Sequence, residues 1–347
     1  MKQKLAVAMS GGVDSSVAAF LVSQWGVDLL GITMKNFDGA DERDSLDAAS
    51  VAHRLGFEHQ TLDLTEEFRN TVMRYFCESY MKGETPNPCV FCNRVIKFGT
   101  MLEQAKKRGC DGIVSGHYAK IKQEDASGRV LLQRAEHREK DQSYVLWSLS
   151  QEQLAATYLP LGELSKAQVR EIAAEQGFAS SDKPDSQDIC FIPDSNYRRF
   201  LEEFTGKTFP PGDFVGTDGK LWGRHKGIVG YTIGQRKGLG IAAPAPLFVV
   251  RKSVEENRVY LGPSEELFSK TLKARDINWI AVESVPASLR VTAKTRYSQR
   301  EAAATVFQTA ENEITVEFDE PQRAIAKGQS VVLYDGETVV GGGIITE

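Results

Sequence analysis

The stretch SGGVDS at residues 10–15 decides the fold of this chain. It lies between an apolar run at residues 5–9, which predicts a strand, and an amphipathic segment at residues 16–25, which predicts a helix. Two adjacent glycines let a ligand approach the backbone without meeting a Cβ atom. The free helix amides, expected at Ser15 and Ser16, point into the turn, where the helix dipole favours an anion. The stretch therefore predicts a phosphate-binding loop, and its alternative is a structural strand-to-helix turn capped by serines.

This loop differs from the other common phosphate loop, which needs the pattern GxxxxGK[ST]. The Gly-Lys-Thr at residues 206–208 has Leu201 where the first glycine of that pattern would stand. Residues 10–15 instead resemble the pyrophosphatase loop of enzymes that cleave ATP to AMP and pyrophosphate. Their position after the first strand suits that role, because open α/β sheets bind ligands at the carboxyl ends of their strands.

Length and composition define the class of protein. A chain of 347 residues predicts two or three domains, and 41% hydrophobic and 26% charged content is typical of a soluble globular protein. No apolar run approaches the roughly 20 residues that cross a membrane, and the early first strand leaves no room for a signal peptide. Five cysteines do not form the even set of a secreted disulfide framework. We therefore expect a cytoplasmic enzyme with no membrane partner, and the net charge of −5 requires any RNA to bind local basic patches.

The predicted elements change in character along the chain. Up to about residue 115, strands and helices alternate, which predicts an α/β fold with a doubly wound parallel sheet. Glycines are dense at residues 212–240, and short alternating segments from residue 251 predict a C-terminal antiparallel barrel or sandwich. We predict an ATP-pyrophosphatase domain at residues 1–197, a small central domain at residues 198–270 and the β-barrel at residues 271–347.

Two further stretches contain cysteines with informative neighbours. In TPNPCVFCN at residues 85–93, two prolines predict an extended or turning backbone ahead of a helix that begins near Arg94. Cys92 would then lie beside a helix N-terminus, which lowers the pKa of a thiol. In DSQDICFI at residues 185–192, Cys190 lies in a short apolar segment next to a polar stretch. Taken alone, each cysteine is more simply a small hydrophobic residue than a nucleophile.

Motifs along the whole chain together resemble one family. Residues 8–15, 34–36, 85–93, 115–119, 140–144, 186–191, 230–240 and 296–297 match, in this order, the bacterial-type tRNA-specific 2-thiouridylases. The resemblance implies a tRNA-uridine 2-sulfurtransferase that acts on the wobble uridine, uridine 34, of the tRNAs for Lys, Glu and Gln. ATP would adenylate the C2 oxygen of this base, and sulfur would then replace that oxygen, giving 2-thiouridine, AMP and pyrophosphate.

The resemblance also implies roles for single residues. Cys190 would carry the incoming persulfide, and Cys92 would either assist attack on the base or release sulfide by forming a Cys92–Cys190 disulfide. Asp14 would order Mg²⁺ or water near the phosphates, or simply cap the helix. The implied ATP site comprises Ala8, Met9, Ser10, Gly11, Gly12, Val13, Asp14, Ser15, Met34 and Gly116. The implied tRNA contacts are Asn87, Pro88 and Cys89 near the target base, with His117, Lys140, Asp141, Gln142, Arg296, Tyr297 and Gln329.

Several alternatives stay open at this point. Many members of the family have an acidic residue where this chain has Cys89, so Cys89, Cys92 and Cys190 could instead hold a [4Fe–4S] cluster with one open iron. His117 is equally explained as a structural histidine, and Lys140 and Arg296 as solvated surface charges. A small-molecule adenylating ligase or amidotransferase would need neither the paired cysteines nor the β region. A non-catalytic RNA-binding protein would not need the intact loop. The persulfide donor, a cysteine desulfurase or a sulfur-relay protein, is not identified by the sequence.

Overall fold

The computed structural model describes residues 2–39, 42–123, 128–178, 189–285 and 287–347. The polar stretch at residues 180–188, including Ser186, Gln187 and Asp188 of the second cysteine motif, lies outside the described residues. Within the described ranges, no helix is both long and apolar enough to cross a membrane.

The first part of the chain builds a parallel sheet that is buried on both faces. Its strands are β1 (Lys4–Ala8), β2 (Asp28–Lys35), β3 (Glu58–Asp63), β4 (Gly112–Val114) and, after the hairpin of β5 (Ala119–Gln123) and β6 (Val130–Arg134), β7 (Thr157–Tyr158). They lie in the order β3-β2-β1-β4-β7, and every pairing in this order is parallel. Leu5 and Val7 of β1 belong to one hydrophobic core, whereas Ala6 and Ala8 belong to another. This alternation confirms the predicted doubly wound sheet.

Helices cover both faces of this sheet. They are α1 (Val13–Ser23), α2 (Glu42–Arg54), α3 (Thr65–Phe68), α4 (Arg74–Met81), α5 (Pro88–Cys92), α6 (Met101–Lys107), α7 (Gln151–Ala155), α8 (Lys166–Glu175) and α9 (Tyr197–Thr205). The first core takes apolar side chains from α1, α2 and α8, and the second takes them from α3, α4 and α6. Two π-helical segments, Arg69–Met73 and Asn93–Thr100, connect α3 to α4 and α5 to α6.

Two β units follow. The central one contains β8 (Gly212–Gly216), β9 (Leu221–His225), β10 (Phe248–Ser253) and β11 (Arg258–Gly262), in the order β10-β11-β8-β9. The last one contains β12 (Phe268–Trp279), β13 (Leu289–Lys294), β14 (Ala302–Ala310), β15 (Glu313–Arg323), β16 (Ser330–Asp335) and β17 (Thr338–Ile345). These strands pair antiparallel in the order β12-β15-β14-β13-β16-β17, and pairing of β12 with β17 closes the predicted barrel.

The barrel is tied to the first part of the chain at two places. The hairpin β5–β6 extends the barrel sheet, because Gln133 of β6 pairs with Thr338 of β17. The Thr85 amide donates to the Lys327 carbonyl oxygen at 2.7 Å, and Gln329 Nε2 donates to the Thr85 carbonyl oxygen at 2.7 Å. The barrel therefore holds the segment that leads into the first cysteine motif.

Candidate active site

The loop at residues 10–15 is fixed by its own hydrogen bonds. Gly11 has φ +70°, and a Cβ there would lie 2.3 Å from the Asp44 carbonyl oxygen, so this position needs glycine. Ser15 Oγ accepts the Ser10 amide at 3.2 Å and donates to the Gly12 carbonyl oxygen at 3.1 Å. Helix α1 begins at Val13 with no side-chain cap from Gly12, so its first amides lack an intrahelical acceptor. The Ser16 amide, predicted to be free, instead donates to Gly12 because the helix begins earlier than expected.

A lysine that sequence analysis missed lies beside this loop. Lys166 Nζ is 2.7 and 2.9 Å from the two carboxylate oxygens of Asp14, and the Tyr118 hydroxyl donates to Asp14 Oδ1 at 2.7 Å. Lys166 is the first residue of α8, whose capping box at Ser165 is the only local sequence signal near it. Both oxygens of Asp14 contact this ammonium group, and the role of the carboxylate toward Mg²⁺ or water stays a prediction. Its geometry holds a cation at the phosphate loop.

Two other residues of the implied ATP site lie at the same edge of the sheet. Met34 is near the carboxyl end of β2, and Gly116 follows β4. A Cβ on Gly116 would lie 2.8 Å from the Asp14 carbonyl carbon and 2.9 Å from the Ser15 amide nitrogen. The chain after β4 therefore packs directly against the first turn of α1. The roles of Met34 and Gly116 toward a nucleotide stay predictions.

The helix of the first cysteine motif begins earlier than predicted. Asn87 Oδ1 accepts the amides of Cys89 at 3.1 Å and Val90 at 3.4 Å, and Pro88 occupies the first turn, so α5 begins at Pro88 rather than near Arg94. Cys92 is the last residue of α5, and the prediction that it lies beside a helix N-terminus is wrong. Burial instead raises the pKa of Cys92 to about 12.

Cys190 is presented to the same place by an aromatic anchor. Phe191 is buried, and its ring centroid lies 5.6 Å from that of Phe68, 5.5 Å from Phe76 and 5.1 Å from Phe200. Cys190 has an exposed side chain. The protein atoms that surround it nevertheless exclude part of the water, and this raises the pKa of the Cys190 thiol to about 11. Burial and then the charges of Cys190 and Cys89 raise the pKa of Cys92, so the structure brings these thiols within electrostatic reach of one another.

Lys97 is a second functional residue that sequence analysis missed. It is half-buried in the π-helical segment Asn93–Thr100, five residues after Cys92, where i→i+5 bonding turns residues five apart towards one face. Burial raises the pKa of the Cys89, Cys92 and Cys190 thiols, and the Lys97 ammonium partly offsets each rise. Among the described residues, no carboxylate forms an ion pair with Lys97. Its charge is therefore directed at the thiol site.

The described cysteines do not form a metal site. Over the described ranges, no group of three or more His, Cys, Asp or Glu side chains is placed to hold a metal ion. The [4Fe–4S] alternative on Cys89, Cys92 and Cys190 is therefore not supported.

Most residues implied as tRNA contacts make hydrogen bonds inside the protein. His117 is buried, its Nδ1 lies 2.8 Å from Ser115 Oγ, and burial followed by the Lys97 charge lowers its pKa, so it is neutral. The internal partners of the others are Ala135 and Ser143 for Asp141, Tyr118 for Gln142, Ile233 and Ala324 for Arg296, and Thr85 for Gln329. Tyr297 is 43% exposed, and Lys140 is half-buried.

Residues 115–118 connect the phosphate loop to the thiol site. Gly116 packs on Asp14, and Tyr118 donates to the same carboxylate. Between them, the His117 ring lies 5.8 Å from the ring of Phe98, the residue that follows Lys97. Residues 115–118 therefore contact both the phosphate loop and the π-helical segment that carries Lys97.

Comparison with known proteins covers the whole chain. Family models match in succession a tRNA methyl transferase HUP domain at residues 3–194, a tRNA methyl transferase PRC-barrel domain at residues 198–263 and an aminomethyltransferase beta-barrel domain at residues 269–345. The tRNA-specific 2-thiouridylase MnmA of Clostridioides difficile is 47% identical over 355 residues, covering 99% of this chain and 98% of its own. The protein of that name from Acetivibrio thermocellus is 46% identical and covers 99% of both chains. The solved NMN synthetase of Francisella tularensis aligns with 60% of this chain and 79% of its own, at 18% identity and a TM-score of 0.36.

Proposed function

The chain belongs to the family of tRNA-specific 2-thiouridylases, and we propose that it replaces the C2 oxygen of uridine 34 by sulfur in the tRNAs for Lys, Glu and Gln. The observation that carries this proposal is that residues 115–118 contact both a phosphate loop and the π-helical segment whose Lys97 charge acts on the thiols of Cys92 and Cys190. An adenylating ligase would have no use for these thiols, and a non-catalytic RNA-binding protein would have no use for the loop.

In the first step, the C2 oxygen of uridine attacks the α-phosphorus of ATP. An O–P bond forms, the bond to the β-phosphate oxygen breaks, and pyrophosphate leaves with its electrons. The free amides at the N-terminus of α1 and the ammonium of Lys166 stabilise the charge of the leaving group. Met34 and Gly116 line the adenine and ribose, and Asp14 positions Lys166. Bound together with ATP, Mg²⁺ would neutralise part of the charge of the phosphates.

In the second step, sulfur displaces AMP. The terminal sulfur of a Cys190 persulfide attacks C2, and AMP leaves with the electrons of the C–O bond. The Cys92 thiolate then attacks Sγ of Cys190. The bond from Cys190 to the transferred sulfur breaks, its electron pair forms the thiocarbonyl of 2-thiouridine, and a Cys92–Cys190 disulfide remains. In the alternative order, Cys92 attacks first and the released sulfide attacks C2.

Both orders need two outside reactants. A thiol reductant returns two electrons to the disulfide, and a cysteine desulfurase or sulfur-relay protein reloads Cys190 with a persulfide. Because burial holds the pKa of Cys92 at about 12, its thiolate is scarce at neutral pH, and Lys97 is the cation placed to stabilise it. Cys89 has no role in either order.

The tRNA would bind with its anticodon loop at the thiol site, since a single-stranded loop releases a base at low cost. We propose Asn87, Pro88 and Cys89 beside the base, Lys140 and Tyr297 as surface contacts, and the internally bonded His117, Asp141, Gln142, Arg296 and Gln329 as residues that position those contacts. We also propose a cytoplasmic enzyme with the division 1–197, 198–270 and 271–347.

The test is an anaerobic reaction of the full chain with ATP, a cysteine desulfurase with cysteine, and unmodified tRNA, with thiolation measured on a mercury-affinity gel. We expect ATP-dependent retardation of the tRNA, its loss in Cys190→Ser, and its retention in Cys110→Ala, a buried cysteine elsewhere in the fold. Pyrophosphate release with tRNA should persist in Cys190→Ser, because adenylation precedes sulfur transfer. Thiolation at the wild-type rate in Cys190→Ser would exclude Cys190 as the sulfur carrier.

A further inference from the structure

The glycine-rich motif at residues 230–240 forms a firmly held turn that the proposed chemistry does not use. Gly234, Gly238 and Gly240 have φ values of +87°, +77° and +68°. The Gly234 amide donates to the Val249 carbonyl oxygen at 2.8 Å, and the Val249 amide donates to the Gln235 carbonyl oxygen at 3.0 Å. The Gln235 side chain accepts from the Thr232 amide and donates to the Lys237 carbonyl oxygen, both at 3.0 Å. The turn thus keeps its shape without a ligand.

Gly234 packs against the barrel beside two guanidinium groups. An ideal Cβ on this glycine would be 2.8 Å from Ala324 Cβ, 3.8 Å from Arg296 Nη2 and 3.8 Å from Arg323 Nη1. Arg296 donates to the carbonyl oxygens of Ile233 at 2.9 Å and Ala324 at 2.6 Å, and its buried Nε has no hydrogen-bond partner. Arg323 is exposed, and its guanidinium lies 5.1 Å from the centroid of the Phe248 ring. Burial, and then the like charge of Arg323, lowers the pKa of Arg296.

The same turn displays two more cations. Arg236 and Lys237 are both exposed at its tip. In the part of the chain that the structure describes, no carboxylate forms an ion pair with Arg236, Lys237, Arg296 or Arg323. A cavity of about 450 Å³ opens beside Arg236, lined mainly by small and apolar residues at positions 238–247. Four cations on and beside one turn, without an ion-pair partner among the described residues, form a positively charged surface that attracts an anion from outside.

We propose that Arg236, Lys237 and Arg323, backed by Arg296, form a binding surface for the sugar–phosphate backbone of the tRNA substrate. Planar guanidinium groups pair with phosphate through two parallel hydrogen bonds. Exposed Tyr297 directly follows Arg296, so the surface continues the proposed tRNA contact on the barrel. This inference rests on the proposed function, and it adds a contact that carries no sequence information.

The experiment measures the affinity of Arg323→Gln and of the double variant Arg236→Gln/Lys237→Gln for tRNA over a range of salt concentrations. Arg290→Gln is the matched control, because Arg290 is an exposed arginine of the barrel that pairs with Asp319 instead. We expect each lost phosphate contact to weaken binding about 3- to 10-fold and to reduce the salt slope by about one. The loss should be equal for a tRNA with uridine at position 34 and one without it, and the control should bind like wild type.

Unchanged tRNA affinity in both variants would overturn the inference. A second result would also overturn it: the variants bind tRNA normally but thiolate it more slowly, and only when a protein supplies the persulfide. The surface would then bind an acidic protein instead of tRNA. A failure of the proposed function is distinguishable, since wild-type enzyme would then not thiolate tRNA at all.

Discussion

Replacing Gly12 by alanine separates ligand binding from folding at the phosphate loop. Gly12 has φ −92°, and a Cβ there would meet no atom closer than Ser10 Oγ at 3.5 Å, an ordinary contact. The fold accepts the methyl group, and we expect the free energy of unfolding to change by less than about 1 kcal/mol. A phosphate that approaches the amides of α1 would meet the same methyl group. Losing one charge-assisted hydrogen bond costs about 1.5–3 kcal/mol, which is a rate loss of roughly 10- to 150-fold.

The assay is pyrophosphate release from ATP in the presence of tRNA, with thermal unfolding measured on the same samples. Gly230→Ala is the matched control, because a Cβ at Gly230 meets nothing within 4 Å. Gly11→Ala, by contrast, should damage the fold, since its Cβ would collide with the Asp44 backbone. Normal pyrophosphate release by a folded Gly12→Ala protein would refute the argument that phosphate binds at this face of the loop.

The thiol site and the central domain lead to three further predictions. Lys97→Met should make alkylation of Cys190 at pH 8 about 3- to 10-fold slower, because loss of the cation raises the pKa of the thiol, and Lys97→Arg should restore the rate. Cys89→Ser should keep most thiolation activity, since no step needs a third thiol, and a dead variant would contradict the two-cysteine route. Burial lowers the pKa of His225. The neutral ring accepts a hydrogen bond from the Gly227 amide and donates one to the Asn257 carbonyl oxygen. His225 therefore takes up its proton at a higher pH in the unfolded chain than in the folded one. Stability against urea should be full above about pH 6.5 and fall as the pH drops below it, and His225→Gln should flatten that dependence.

Short-range patterns predicted much of the fold. The strand, glycine turn and helix around residues 10–15, the alternating first part and the closing barrel were all recoverable, because each depends on periodicity and turn chemistry within one segment. The family expected from the motifs was also confirmed. The start of α5 has a local signal, because Asn87 followed by Pro88 is a typical helix start. The same prolines also favour extended chain, and this second interpretation led to a predicted helix start near Arg94.

Other features have no local signal. The hairpin β5–β6 pairs with a strand about 200 residues later, and nothing in residues 119–134 indicates that partner. Lys166 and Lys97 reach the site only because α8 and the π-helical segment place them there. The thiol pKa values depended on burial, which outweighs any helix effect on Cys92 and cannot be read from neighbouring residues.

The hydrogen bond from Gln329 to Thr85 joins residues that lie 244 positions apart in the sequence. This separation has a consequence for the synthesis of the enzyme. The phosphate loop leaves the ribosome early, and the hydrogen bonds of Ser15 with Ser10 and Gly12 lie within residues 10–15. The hydrogen bonds that Thr85, ahead of Cys89 and Cys92, makes to the barrel can form only when residues 327–329 have been translated. A chain that stops before residue 327 would have an ATP loop with an unsupported thiol loop. Translation of residues 327–329 therefore completes the support of the thiol loop.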